Sequence, residues 1–373
     1  MTPLASRNPV VALATPADEP ELRRLLRDNP MDGAIRVSLE REPDAFLAAA
    51  VEGDPHHTIV ARDSGTGAVV GMGSRSVGNA YVNGEPRRLG YLSQLRIDRA
   101  FRGRRRLLAS GYALLRGLRG PDETPFDLTS IIADNRVALR LLNAGVPGLP
   151  RYHELGKFVT LILLTPNPRH PPREVRIERG SRERMGEIAD CLARNRRRYQ
   201  AAPFFSEEEL LSPERSRGLT PESFHLAMSG STISGCLAVW DQSAFKQAVV
   251  RGYAPRLARW RPWINRLAPL LRTPRLPDPG TRLPHAYISH IAVDGDNPDL
   301  FRALIESACA DARAAGYAYL VLGLAAQHPW LPWLRRRFQA REYPSVLHTV
   351  HWGDGPEIPL DDRLLPHVEA GLL

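Results

Sequence analysis

Tyr91-Leu-Ser-Gln-Leu-Arg-Ile-Asp-Arg-Ala-Phe-Arg-Gly-Arg-Arg-Arg-Leu-Leu-Ala-Ser-Gly-Tyr-Ala-Leu-Leu115 reads as a strand, a turn and a helix. Leu92, Leu95 and Ile97 are the apolar positions of the strand. Arg102 and Gly103 form the turn. Leu107, Leu108, Gly111, Leu114 and Leu115 make the apolar stripe of the helix. A helix that begins on a glycine turn points unpaired N–H groups and its positive dipole end at whatever lies in front of it. Arg102, Arg104, Arg105 and Arg106 add forked cationic donors at the same place. Phosphate oxygens suit such a site. A solvated basic helix start is the plainer alternative.

The next segment decides between the two. Residues 126–133 read as a strand. A short helix follows from Asp134-Asn135 through Ala138, Leu141 and Leu142, and Gly145 ends it. Asn135 is a good N-cap there. Asp98 and Asp134 read as turn and cap residues.

Over residues 91–145 the chain resembles the GNAT N-acetyltransferase superfamily. That family carries a strand, then Arg/Gln-x-x-Gly-x-Gly/Ala opening a helix, then a second strand and a helix starting near Asn-x-x-Ala-x-x-Leu. Ile97 matches the apolar strand end, Phe101 the aromatic before the turn, and Arg102–Gly103 the Arg-Gly. Asn135, Ala138 and Leu141 match the second motif. The resemblance implies an acyl-CoA co-substrate, acetyl-CoA in the simplest case, and no metal. It places the pyrophosphate on Arg102, Gly103, Arg104, Arg105, Arg106 and Leu107. The pantetheine arm would lie against the backbone of Leu95, Arg96 and Ile97, near Asn135 and Ala138. Three positions depart from the pattern. Arg105 and Leu107 stand where the family has small residues, and Leu142 aligns with the tyrosine that many members use to protonate the leaving thiolate. Tyr152 is the candidate for a displaced general acid, with packing over the helix end as the alternative. Gln94 lies on the relevant strand but cannot act as a base.

The rest of the chain repeats this order. A strand at residues 10–14 is followed by a helix capped at Thr15 with Pro16 behind it. A strand at 175–178 is followed by a helix from Ser181. Strand pairs come next in both halves, at 57–62 with 68–74 and at 224–228 with 232–240. The counterpart of the strand at 91–97 lies at 287–293. The pattern predicts an α/β architecture of two GNAT-like domains in tandem, each a twisted mixed sheet flanked by helices. The expected boundaries are 1–164 for an acyl-CoA-binding domain, 165–174 for a Pro-rich linker, and 175–373 for a degenerate second domain. The second copy has no Arg-Gly. Its helix starts on Asn297-Pro298, with Asp294, Asp296 and Asp299 around the place of the pyrophosphate. Like charge there predicts that it binds no CoA in the usual way. His290 on its strand reads as a core histidine rather than a catalytic one. The second half is expected to complete an acceptor cleft or a structural interface.

Two further segments stand apart. Residues 255–276 place Leu257, Trp260, Ile264, Leu267 and Leu271 on one helical face. Pro262 and Pro269 predict a break, which favours packing across the sheet over a membrane-surface contact or a cover for a long acyl chain. Gln327-His-Pro-Trp-Leu-Pro-Trp333 is expected to pack between the halves.

The 373 residues suffice for two domains, and a hydrophobic fraction of 43% with 24% charged residues is that of a globular chain. The formal charge is +9, and only Lys157 and Lys246 are lysines. An arginine bias of this kind follows from a GC-rich genome, and no motif for nucleic acid accompanies it. Cys191, Cys236 and Cys309 have no paired spacing, which argues against a disulfide framework or a zinc site. The first thirty residues lack the apolar run of a signal peptide, so a cytoplasmic protein is expected. The function expected is N-acyl transfer from acyl-CoA to a small-molecule or peptide amine. The alternatives are a long-chain acyl transferase using acyl-CoA or an acyl carrier protein, and a non-catalytic acyl-CoA-binding scaffold.

Overall fold

The computed structural model describes residues 9–142, 144–165, 175–271, 275–338, 340–353 and 358–373. Apart from Thr165, the expected linker lies outside them.

The first half contains β1 (Val10–Leu13), α1 (Glu19–Asp28), β2 (Ile35–Glu40), α2 (Ala49–Glu52), β3 (His56–Arg62), β4 (Val69–Val82), β5 (Glu85–Ile97), α3 (Arg105–Gly117), β6 (Glu123–Ile132), α4 (Arg136–Leu142) and β7 (Arg151–Leu164). The second contains β8 (Arg176–Arg179), α5 (Met185–Arg196), α6 (Glu207–Leu211), β9 (Phe224–Ser229), β10 (Thr232–Trp240), β11 (Gln247–Tyr253), α7 (Pro255–Leu271), β12 (His285–Val293), α8 (Pro298–Ala314), β13 (Tyr319–Ala325), α9 (Leu331–Phe338) and β14 (Arg341–His351).

Twelve strands form one mixed sheet in the order β1-β3-β4-β5-β6-β14-β7-β13-β12-β10-β9-β8. The order is the same read from either end, β1-β3-β4-β5-β6 against β8-β9-β10-β12-β13, with β14 and β7 between. Each half is continued by the last strand of the other. β14 pairs with β6 (Val350↔Asp127) and β7 pairs with β13 (Leu161↔Leu322), while β7 and β14 pair along their length from Arg341↔Ile162 to His351↔Arg151. β7 is therefore paired on both edges over its apolar end. Phe158, Leu161 and Leu163 in its apolar run are fully buried. A second link is the small sheet of β2 and β11, in which Val37 faces Val250.

The helices pack on the sheet by apolar stripes at helical spacing. Leu107, Leu108, Tyr112 and Leu115 are the buried face of α3, and Phe301, Leu304, Ile305, Ala308 and Ala312 are that of α8. Trp330 stacks on Phe301 at 3.9 Å between ring centres. The tryptophan-rich piece thus packs on α8 within the second half, not between the halves as its sequence suggests. An aromatic face of that size is satisfied by the nearest apolar helix.

The parallel pairs diverge at matching places. β5 pairs with β6 as far as Tyr91↔Leu128, and β12 pairs with β13 as far as Tyr287↔Val321. Beyond those residues each pair splays. Just after the splay each strand holds one non-glycine residue with positive φ, Gln94 (55°) in β5 and His290 (52°) in β12. Both lie where the pairing to the outer neighbour, β4 or β10, shifts register.

Candidate active site

The splay between β5 and β6 opens into a cavity of about 730 Å³ with mainly apolar walls. Leu95, Arg96, Ile97 and Leu107 line it, as do Asn135, Ala138, Leu142 and Tyr152. The far wall comes from the second half through Tyr287, Tyr319, Val321 and Ile264. Residues separated by a whole domain in sequence therefore share one chamber.

The α3 start gathers unpaired amides and positive charge. Gly103 adopts φ 83° with open space around its Cα, and Arg104 at the N-cap is extended and offers no side-chain cap. The Arg105 and Arg106 amides thus have no partner among the described residues, while the Leu107 amide bonds back to the Arg104 carbonyl at 3.1 Å. Arg104, Arg105 and Arg106 are exposed and have no carboxylate partner among the described residues. Arg104 lies over Phe101 at 4.4 Å. Arg102 behaves differently. It donates to the Ile97 carbonyl at 3.1 Å and to Asn29 Oδ1 at 2.9 Å, so it fastens the turn. Residues 102–106 stand outside the cavity wall, and Leu107 enters it. Asn135 accepts from the Ala138 amide at 3.1 Å and caps α4.

Beyond Tyr91 the gap-side edge of β5 has no strand partner. Thr129 Oγ1 donates across the gap to the Leu92 carbonyl at 2.8 Å. Arg96 donates to the Leu95 carbonyl at 3.0 Å and, among the described residues, meets no carboxylate. Backbone amides on such an edge are preorganised donors for a carbonyl that gains negative charge.

Tyr152 and Tyr112 both face the cavity, with their hydroxyls 2.6 Å apart. Burial raises both pKa values, that of Tyr152 to well above the ordinary phenol, with Tyr112 reinforcing it. A phenol that keeps its proton suits donation. Tyr152 packs in the same apolar cluster as Leu142.

Sequence reasoning missed a hydroxyl chain that runs across β3 and β4. Ser74 lines the cavity, its Oγ lies 3.0 Å from Thr58 Oγ1, and Thr58 lies 3.2 Å from His56 Nε2. Burial lowers the His56 pKa, which keeps the ring neutral and able to accept a proton. The signal was present as the alternation His56-x-Thr58 opposite Ser74, and it becomes visible only once register is known. Gln94 Nε2 donates to Glu52 Oε2 at 3.3 Å. Burial works to raise the Glu52 pKa, but Arg41, Lys246 and His56 hold it below the usual range.

In the second half the corresponding gap is closed. His290 is walled by Phe205, Trp240 and Phe224, with ring centres at 4.4, 5.4 and 5.6 Å. Only about 10 Å³ remains beside Ile291–Val293. Asp296 accepts from Arg198 at 3.0 Å and from the Tyr199 hydroxyl at 2.7 Å, and Asn297 caps the amides of Asp299 and Leu300. The second helix start is thus filled by the chain's own groups.

No protein-family model matches the sequence, and no curated protein matches it. Solved structures match across almost the whole chain. A Saccharomyces cerevisiae N-myristoyltransferase with bound myristoyl-CoA superposes with a TM-score of 0.62 at 12% identity, over 98% of this chain and 90% of that one. A GCN5-related N-acetyltransferase from Sphaerobacter thermophilus superposes with a TM-score of 0.57 at 16% identity, over 95% of this chain and 99% of that one. The fold is therefore the GNAT fold. The chain carries two GNAT-like halves in tandem, each with flanking helices on a shared mixed sheet.

Proposed function

We propose that the protein is an N-acyltransferase that moves an acyl group from an acyl-CoA to an amine, with the chemistry in the first half. The contrast between the two helix starts carries this reading. α3 begins uncapped, basic and beside an open cavity, whereas α8 begins capped, acidic and packed shut. In this reading the diphosphate rests on the α3 amides with Arg104, Arg105 and Arg106 around it. The thioester lies along residues 94–97 of β5. Amides on that edge stabilise the oxyanion formed when the amine attacks. The attacking amine must be neutral, and Ser74, Thr58 and His56 offer a path for its proton. Tyr152 is positioned to protonate the leaving thiolate.

A second observation favours a donor longer than acetyl. The cavity falls within the ~300–1,000 Å³ range that suits drug-sized ligands. An acetyl group would leave nearly all of its apolar wall bare.

Thermal unfolding with CoA, acetyl-CoA and a series of longer acyl-CoAs tests both readings, because a ligand of the folded state raises its stability. The expected result is a shift with CoA that grows with chain length, together with thiol release when an amine panel is added. No shift with any CoA would sink the proposal. A shift without thiol release would leave a binding protein instead.

A further inference from the structure

α7 runs unbroken from Pro255 to Leu271, so the break expected at Pro262 does not occur. Nor does its apolar side simply pack inward. Ile264 lines the cavity and Ala268 is buried, but Trp260 and Trp263 are each 60% exposed, Leu267 49% and Leu270 81%. The spacing of these four, three, four and three residues apart, puts them in one stripe. The helix therefore has two apolar sides, one on the cavity and one on solvent.

Charge decides what the outer side meets. α7 contains Arg256, Arg259, Arg261 and Arg266 and no acidic residue. Arg261 turns inward and pairs with Asp278. Arg256, Arg259 and Arg266 are exposed, Arg256 one turn before Trp260 and the other two along one edge of the stripe, with exposed Arg275 and Arg282 following in sequence. Among the described residues, Arg256, Arg259 and Arg266 have no carboxylate partner. Tryptophan rings, leucines and a border of arginines on one helix face are the composition of a helix lying in a lipid interface. The helix is too short and too charged to cross one.

We infer that α7 docks the protein on an anionic lipid surface through Trp260, Trp263, Leu267 and Leu270, with Arg256, Arg259 and Arg266 on the headgroups. The apolar cavity then lies one helix thickness, about 10 Å, from the lipid. This inference does not depend on acyl transfer, because the lipid contact is made by the outer face and the cavity by the inner one.

Vesicle sedimentation of the full chain tests it, without CoA. The probes are vesicles of phosphatidylcholine and vesicles of equal parts phosphatidylcholine and phosphatidylglycerol. The expected result is binding to the mixed vesicles at least tenfold tighter than to the neutral ones. Trp260→Ser with Trp263→Ser and Leu270→Ser should weaken it at least tenfold, as should Arg256→Glu with Arg259→Glu and Arg266→Glu. All six side chains are exposed, so circular dichroism should be unchanged. Binding that is absent, or equal in wild type and both variants, overturns the inference. So does a concentration-dependent dimer abolished by the same substitutions, which would assign the stripe to a second copy of the chain.

Discussion

Gln94 and His290 hold the same place in the two halves, each the left-handed bulge residue on a strand that has just parted from its neighbour. Their surroundings are opposite. Gln94 lines an open cavity, and His290 is 1% exposed inside an aromatic cage. One backbone device has been kept twice and filled once. The chain should therefore bind one acyl-CoA, and calorimetry should give a stoichiometry of one. Arg104→Glu with Arg105→Glu and Arg106→Glu should weaken binding tenfold or more, about 1.4 kcal/mol, and the wild-type affinity should fall with salt. Asp296→Asn should leave the affinity of the folded protein unchanged. Two sites per chain would contradict the asymmetry.

Gly103 separates conformation from charge. A Cβ there meets nothing within 4 Å, so Gly103→Ala introduces backbone strain alone, of about 1–2 kcal/mol. Gly103→Asp adds a negative charge where the diphosphate is placed. The expected order of CoA affinity is wild type, then the alanine variant, then the aspartate variant by a clear margin. Arg102→Ala should act through the turn it fastens, raising local hydrogen exchange over residues 97–105 more than it lowers affinity. Equal affinities for alanine and aspartate at position 103 would remove the phosphate from this turn.

Much of this geometry was legible before any fold was known, and the reasons are local. The reading of β10 has its observed bounds, and β3, β5 and β12 end where read because turn residues follow their apolar runs, but β5 starts at Glu85 rather than Tyr91. The starts at Thr15 and Ser181 both carry the cap pattern, and both prove to be short 3₁₀ turns leading into α1 and α5. The exchange of β7 and β14 was hidden, since nothing in either strand says which partner it will find. The small sheet of β2 and β11 was missed although Ile35, Val37 and Leu39 alternate with Arg36, Ser38 and Glu40, because nothing local names β11 as the partner. Pro262 is the eighth residue of α7, and there it removes one intrahelical donor without ending the helix. At the site, Leu95, Arg96, Ile97, Asn135, Ala138 and Tyr152 come together on one cavity, whereas the His56–Thr58–Ser74 chain depends on register across two strands.

Tyr152 should show the signature of a proton donor. Tyr152→Phe removes one hydroxyl of the 2.6 Å pair with Tyr112 and leaves the ring in place. The expected effect is a loss in kcat of about a hundredfold, within the ~10²–10⁴ range for general acid catalysis, with KM for the acyl-CoA little changed. Tyr112→Phe should cost less. Steady-state thiol release measures both. If Tyr152→Phe keeps full kcat, the ring is a packing element and the thiolate takes its proton elsewhere.

Acid should destabilise the chain from about pH 6.5 downward. Burial lowers the pKa of His290 and His225 to about 3 and that of His328 to about 4. In the unfolded chain all three take up protons near pH 6.5. Below that pH the unfolded state binds more protons, so stability falls as pH falls, by up to about 1.4 kcal/mol per pH unit for each histidine. Above pH 6.5 the three contribute no slope. Glu369 adds to the fall only below about pH 4.5, since Arg196 and the neighbouring histidines outweigh its burial and hold its pKa down. Urea midpoints between pH 7.5 and 4.5 should show the decline, and His290→Gln should flatten it. A midpoint constant over that range would contradict the neutral buried histidines.

Arg75 and the second half share one buried carboxylate, Asp127, a link the sequence does not announce. It is fully buried, donates through Nε to Asp127 Oδ2 at 3.0 Å and through a terminal nitrogen to Oδ1 at 2.8 Å, and also pairs with Glu123. Trp352, which follows β14, donates to the same Asp127 at 3.0 Å. β4, β6 and the end of the second half thus meet on one carboxylate. Gly90 lies directly beneath, where a Cβ would come 1.9 Å from Asp127 Oδ1, so only glycine permits the pair. Arg75→Met leaves two buried carboxylates without their cation and should cost about 3–5 kcal/mol of unfolding free energy. Adding Asp127→Leu and Glu123→Leu should recover part of it, because the uncompensated charge is then gone. Gly90→Ala should resemble the single Arg75 variant. Because Asp127 is shared, Trp352→Phe should lower stability less than Arg75→Met, and the two losses together should fall short of their sum. Strict additivity in that double-mutant cycle would mean that the two halves are not coupled through this carboxylate.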